Sequence, residues 1–327
     1  MVEQLQRSGA VSFYGVPSTW DIFPTASPVF PFLQTLAYAQ TSSYDPKRHF
    51  PRLFQDTPLL ESLAFSDIAP APSFPPSWKT ITTLNMSYCR ITAMGLVDLL
   101  RFTEKLEKLT THRLQFPNED QDDPPLHETP IVRPALLSHL TQLHVMFSWP
   151  PTYEDSDEAS ADEKVLQSAL PHIRCPNLTT ICISAPSRRD LDIEAVRTCI
   201  LSSDNPSSIL SIVFAELGDK ALAEPIINLL SKLPRLEFIS IGVKEDRHVD
   251  YNLVVDALRW PQHHETLEGV GLCPGLRSMK LSRCRVDSTS LHDMIMSRTA
   301  QSGLRHVVLE DMMFTDKPLD PFVDHLE

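Results

Sequence analysis

Gly271-Leu272-Cys273-Pro274-Gly275 has the outline of a nucleophile elbow with cysteine in the serine place. Acyl transfer at such an elbow takes an oxyanion N–H from the residue after the nucleophile, and Pro274 has none. His263, His264 and Glu265, with His248 upstream and Cys273 downstream, offer donors of the zinc type. Adjacent histidines point apart and no second pair has ligand spacing, so a surface loop is the simpler reading. No phosphate loop, dinucleotide motif or paired metal carboxylates stand at motif spacing. The expectation is a protein that catalyses nothing, with no catalytic residue, no cofactor and no metal.

Charge narrows the partners. The 327 residues carry 29 Lys plus Arg against 42 Asp plus Glu, a formal net charge of −13, and the basic residues are scattered. Phosphate backbones are bound by clustered positive charge, so no nucleic-acid partner is expected. No stretch approaches the roughly 18 apolar residues of a membrane span, so no membrane partner is expected either. Met1 to Pro17 lacks the charged-then-apolar layout of a secretory signal, which points to a cytoplasmic or nuclear protein whose six cysteines stay as thiols. Asn85-Met-Ser and Asn177-Leu-Thr then read as chance matches to the glycosylation pattern.

The elements that position these groups come from one pattern, apolar-x-x-apolar-x-apolar, which returns along the chain. Clear copies are Ile81-Thr-Thr-Leu84-Asn-Met86, Leu178-Thr-Thr-Ile181-Cys-Ile183, Leu236-Glu-Phe-Ile239-Ser-Ile241, Leu276-Arg-Ser-Met279-Lys-Leu281 and Leu304-Arg-His-Val307-Val-Leu309. Further copies begin at Leu33, Leu60, Leu106, Leu140 and Ile209, ten in all. The last two apolar positions differ by two, so both lie on one face of a short strand. The period is irregular: Leu60 to Ile81 is 21 residues, whereas Leu236 to Leu276 is 40.

Between strands the spacing turns helical. Leu96, Leu99 and Leu100 share one helix face, as do Leu291, Met294 and Ile295, and the set Leu253, Val254, Ala257 and Leu258. Ala221, Leu222, Ile226, Leu229 and Leu230 form another, in which Pro225 is tolerable only in the first turn. Alternating strands and helices too small to bury their faces alone predict a stacked α/β solenoid, with a curved parallel sheet on the concave side and helices on the convex side. Nine glycines are too few for phosphate-cradling loops or many tight hairpins.

Residues within these copies resemble the leucine-rich repeats of F-box-like substrate receptors, in their cysteine-containing and fungal, divergent forms. Leu84-Asn-Met-Ser-Tyr-Cys89-Arg-Ile91 and Met279-Lys-Leu-Ser-Arg-Cys284-Arg-Val286 are similar to that family's strand and loop. Cys175-Pro-Asn-Leu178 and Cys273-Pro-Gly-Leu276 are similar to its repeat opening. The resemblance spans Leu33 to Phe314 and implies an irregular leucine-rich-repeat solenoid that binds a protein, with a Skp-type adaptor as second partner if an F-box exists elsewhere. No F-box is recognisable, because the residues before Leu33 look too short and too proline-broken for a three-helix motif. Leucine-rich regulators or inhibitors of another enzyme are the alternative, and a cysteine or zinc hydrolase a distant third.

The predicted organisation is an irregular capping segment at 1–32, a solenoid at 33–316 and a tail at 317–327. Acid-rich insertions fall near 117–130 and 150–164; Ser156 and Ser160 in the second suit phosphorylation, though a solvated loop is the simpler reading. Alternation turns the flanking residues of each strand outward, and most are small, such as Ser62, Asn85, Thr180 and Ser184. The larger ones, His112, His144, Met146, Phe238, Lys280 and His306, are candidate interface residues, with a solvated sheet face as the plainer alternative. Strand-end loops add Trp149, Arg283 and Arg285, the two arginines being expected beside Glu310 and Asp311.

Overall fold

The computed structural model describes residues 8–14, 30–39, 57–66, 76–89, 91–112, 114, 133–146, 161–184, 193–202, 208–217, 223–243, 249–260 and 271–315. The chain divides into two compact units, Met1–Asn177 with Thr198–Asp204, and Leu178–Arg197 with Asn205–Glu327.

In the first unit six strands pair side by side in chain order, all parallel: β1 (Ala10–Tyr14), β2 (Thr35–Ala39), β3 (Ser62–Ser66), β4 (Thr83–Ser87), β5 (Lys108–His112) and β6 (Gln142–Met146). Five of them carry motif copies. The sixth, β1, lies within the segment expected to be irregular, and its register explains why the pattern missed it. Val11 pairs with Leu36, which sets Ser8 where the other copies have their first apolar residue.

The second unit repeats the arrangement with β7 (Thr180–Ser184), β8 (Ser211–Leu217), β9 (Phe238–Val243), β10 (Ser278–Ser282) and β11 (His306–Glu310), again parallel and in chain order. Each unit is a leucine-rich-repeat solenoid. All ten motif copies end in one of these strands.

One row of residues extends the motif beyond what its spacing suggested. Three positions before the first apolar residue of eight copies, Phe30, Thr57, Trp78, Thr103, Leu137, Cys175, Leu233 and Cys273 are all buried, whereas the Leu304 copy has exposed Gln301 there. In most of these the carbonyl accepts the N–H of the motif's first residue, as in Leu60 to Thr57 at 3.1 Å and Leu276 to Cys273 at 3.1 Å. Proline follows at Pro31, Pro58, Pro176, Pro234 and Pro274, the second place of a turn, where a missing N–H costs nothing. The same turn ties neighbouring repeats together. Glu61 offers its carbonyl to both Thr82 N and Thr83 N, Glu237 does so for Arg277 and Ser278, and Arg277 for Arg305 and His306.

Helices cover the inner face. Among the described residues they are α1 (Ala93–Phe102), α2 (Ala161–Ala169), α3 (Ile193–Ser202), α4 (Ala223–Leu230), α5 (Asn252–Leu258) and α6 (Ser288–Gln301). Residues 161–164, counted with the second acidic insertion, therefore open α2. Packing joins α1 to α2 in the first unit, and α4, α5 and α6 in series in the second. Thr92 caps α1 by accepting Gly95 N at 3.0 Å, and Asp287 caps α6 by accepting Ser290 N at 2.8 Å. Each such cap stabilises its helix by about 1 kcal/mol. Pro225 stands third in α4, inside the first turn where no intrahelical N–H is required.

The core lies between the inward strand residues and the helices. Leu84, Met86, Leu96 and Leu100 are at most 1% exposed, and full burial of one such side chain contributes about 1.5–3 kcal/mol. On α5 the buried residues are Val254, Val255 and Leu258, while Leu253 is turned to solvent. Among the described residues no helix is long and apolar enough to cross a membrane.

Candidate functional site

Parallel pairing lines up the outward side chains in rows, up to a register shift between Phe214 and Leu217 at the end of β8. In the second unit one row reads Thr180, Ser211, Phe238, Ser278 and His306, and the next reads Cys182, Val213, Ser240, Lys280 and Val308. Phe238 is thus two strands from His306 and one strand and one row from Lys280. Phe238 and Lys280 are half-buried and His306 is exposed. Ser184, expected outward on β7, is buried instead.

The charges on this face are arranged in pairs. Lys280 Nζ lies 2.8 Å from Glu310 Oε1. That contact, donated to the carboxylate, holds the Glu310 pKa below its ordinary value. Arg283 follows β10 with a left-handed backbone, φ 58°, and donates its N–H to the Glu310 carbonyl at 2.8 Å. Its guanidinium Nε lies 3.7 Å from Asp311 Oδ2. Arg283 is therefore beside Asp311 and Glu310 as expected, and Lys280 supplies the direct ion pair to Glu310. Arg285 is elsewhere, at the exposed centre of the short strand Cys284–Val286, in register with Asp250 of Val249–Asp250 and Met313 of Met313–Phe314. Its neighbours are set by this second ladder, which the motif spacing did not reveal.

The first unit carries a separate cluster. On its outward face Thr110 pairs with His144 and His112 with Met146, so both histidines and the thioether occupy adjoining positions on β5 and β6. Tyr88, with φ 55°, donates its N–H to the His112 carbonyl at 2.7 Å, and the two rings meet edge-on with centroids 5.1 Å apart. Burial first, and the charge of Lys108 second, lower the His144 pKa. Trp149, Ser156, Ser160, His248, His263, His264 and Glu265 lie outside the described residues.

The cysteines serve the turns. Cys273 is buried, donates its thiol to the Leu230 carbonyl at 3.5 Å, and has its pKa pushed up to about 12 by burial. Cys284 donates to Ile241 O at 3.7 Å and Ser282 O at 3.5 Å, and Cys89 to Phe65 O at 3.5 Å and Ser87 O at 3.3 Å. These equivalent bonds reach back to the preceding strand and explain cysteine at that place in the repeat. A protonated, buried thiol followed by proline supplies neither nucleophile nor oxyanion donor.

Arg298 escaped the sequence reading because it interrupts no pattern: it is one more polar residue on an amphipathic helix. It is 0% exposed, and its guanidinium donates to the carbonyls of Leu258, Leu272 and Cys273 while its Cζ lies 5.3 Å from the Trp260 ring centroid. No spacing signal marks such a group.

No family model and no curated protein matches this chain. Among solved structures it is similar to the one titled crystal structure of TLR13-ssRNA13 complex, at 13% identity and a TM-score of 0.39. The similarity covers 91% of this chain and 42% of that one, so the chain spans less than half that protein's length.

Proposed function

We propose that this chain is a non-catalytic protein-binding module whose recognition surface is the outward strand face of the second unit. What supports this is the set Phe238, Lys280 and His306, large or charged side chains held in register on the strand face opposite the one that carries the core leucines. Rigid strands present them at low entropic cost, and aromatic groups in such a setting dominate binding energy. Arg283 and Arg285 extend the surface along the strand ends, and His112, His144, Met146 and Trp149 are candidate contacts from the rest of the chain. The location proposed alongside it is the cytoplasm or nucleus.

The specific role proposed is substrate recognition within an F-box-type ubiquitin ligase, on the strength of the cysteine-containing repeat motifs. Proximity labelling in the native cell, comparing wild type with Phe238→Ala and Lys280→Glu, tests the module. Labelling of a discrete partner that both variants lose is expected, and an unchanged profile counts against this face. Pull-down of a Skp-type adaptor with the full-length protein tests the ligase role separately. Failure there leaves inhibition or regulation of another enzyme as the second reading.

A further inference from the structure

We infer that His112, His144 and Met146 on the outward face of the first unit form a binding site for a soft monovalent metal ion, Cu(I). The inference is independent of the partner-binding reading, which rests on the other unit. Register is what brings the three together. His112 is directly opposite Met146, and His144 stands two residues before Met146 on the same strand and the same face. Adjacent strands lie about 4.8 Å apart and alternate residues about 6.6 Å apart, so the three Cα atoms fall within about 8 Å of one another. Two imidazoles and a thioether are long enough to converge over that triangle.

The donor set selects the metal. Thioether sulfur is a weak ligand for Zn(II), Mg(II) or Ca(II) but a good one for Cu(I), and two imidazoles with one thioether satisfy a three-coordinate soft ion. Among the described residues no three His, Cys, Asp or Glu side chains come together to hold a metal, so a harder ion finds no better site in them. Lys108, two residues before Thr110 on the same face, also favours low charge, because a monovalent ion is repelled less than a divalent one. Tyr88 restrains the His112 ring by an edge-on contact.

Cys182 is half-buried on an outward row of the other unit and is a competing soft donor, so the test uses a Cys182→Ser background of the full-length chain. Titration of the Cu(I)–bicinchoninate complex under anaerobic, reducing conditions should show one equivalent of Cu(I) transferred to the protein. His112→Gln and Met146→Leu, both outward-facing and not needed for the core, should each weaken transfer at least tenfold. Because Cu(I) is diamagnetic, methionine-methyl NMR should show the Met146 signal moving as the equivalent is added. No transfer, transfer unchanged in both variants, a stationary Met146 methyl, or Zn(II) bound as tightly as Cu(I) would each overturn the assignment.

Discussion

Arg298 Nη1 donates to the carbonyl of Cys273 at 2.8 Å, joining the last turn of α6 to the turn that opens β10. The charge is fully buried, and the described residues surround it with carbonyl oxygens and the Trp260 ring rather than with a carboxylate. A guanidinium suits this place because its planar fork can serve three carbonyls from different segments at once. Arg298→Met should therefore lose about 2–4 kcal/mol, from orphaned carbonyls and a partly emptied site. Arg298→Lys should recover little of it, since an ammonium cannot span the same acceptors. Urea denaturation followed by circular dichroism measures both, and a lysine variant as stable as wild type would refute the fork argument.

Thiol reactivity separates the structural cysteines from the rest. Cys89, Cys175, Cys199, Cys273 and Cys284 are buried and Cys182 is only partly so. At pH 7.5 iodoacetamide should label Cys182 first, and slowly, because burial raises its pKa too. The other five should react only after addition of urea. Peptide mass spectrometry over a labelling time course reads this directly.

His144 supplies a pH dependence with a definite sign. Its folded pKa lies below its unfolded one, so the unfolded chain binds the proton more readily. Its contribution to stability is intact above the ordinary histidine pKa and is lost as pH falls through the lowered folded value. Histidine-detected NMR should place its titration below the ordinary histidine value. Removing the second cause, in Lys108→Met, should move it part of the way back, and no movement would assign the shift to burial alone.

Glu310 gives the opposite test on an exposed group. Its carboxyl titrates below the usual range chiefly because Lys280 donates to it. Carboxyl-carbon NMR on Lys280→Met should show the midpoint rise toward the ordinary glutamate value. A midpoint that stays low would mean the contact is not maintained in solution.

Equivalent leucines in successive strands should differ in cost. Leu281 and Leu309 are paired in register, yet Leu281 is 1% exposed and Leu309 39%. Leu281→Ala should destabilise by about 2–5 kcal/mol, whereas Leu309→Ala should cost well under half of that. Equal losses would show that Leu309 is covered in the native protein.

Much of the fold was legible in the residues. The ten motif copies all became strands, because burying two side chains on one face demands alternation and alternation survives irregular repeat lengths. Cys175 and Cys273 were recognised as repeat openings. That they share a buried row with Phe30, Thr57, Trp78 and Leu233 was not, since chemically unlike residues fill it and only their common turn unites them. The strand β1 was missed for the reverse reason: its geometry is regular, but Ser8 breaks the pattern.

The site was less legible than the fold. Outward positions follow from strand alternation, so Phe238, Lys280, His112 and Met146 were correctly turned out from sequence alone. Which of them meet depends on register between strands that are 28 to 40 residues apart in the chain, and only the backbone ladder decides that. Register set Lys280 opposite Val308 and within reach of Glu310, diverted Arg285 to a second ladder beside Met313, and placed Met146 opposite His112 and His144 opposite Thr110. Composition and periodicity are one-dimensional and determined the repeat; pairing across strands, and the enclosure of Arg298 by three distant carbonyls, are three-dimensional and were decided by packing.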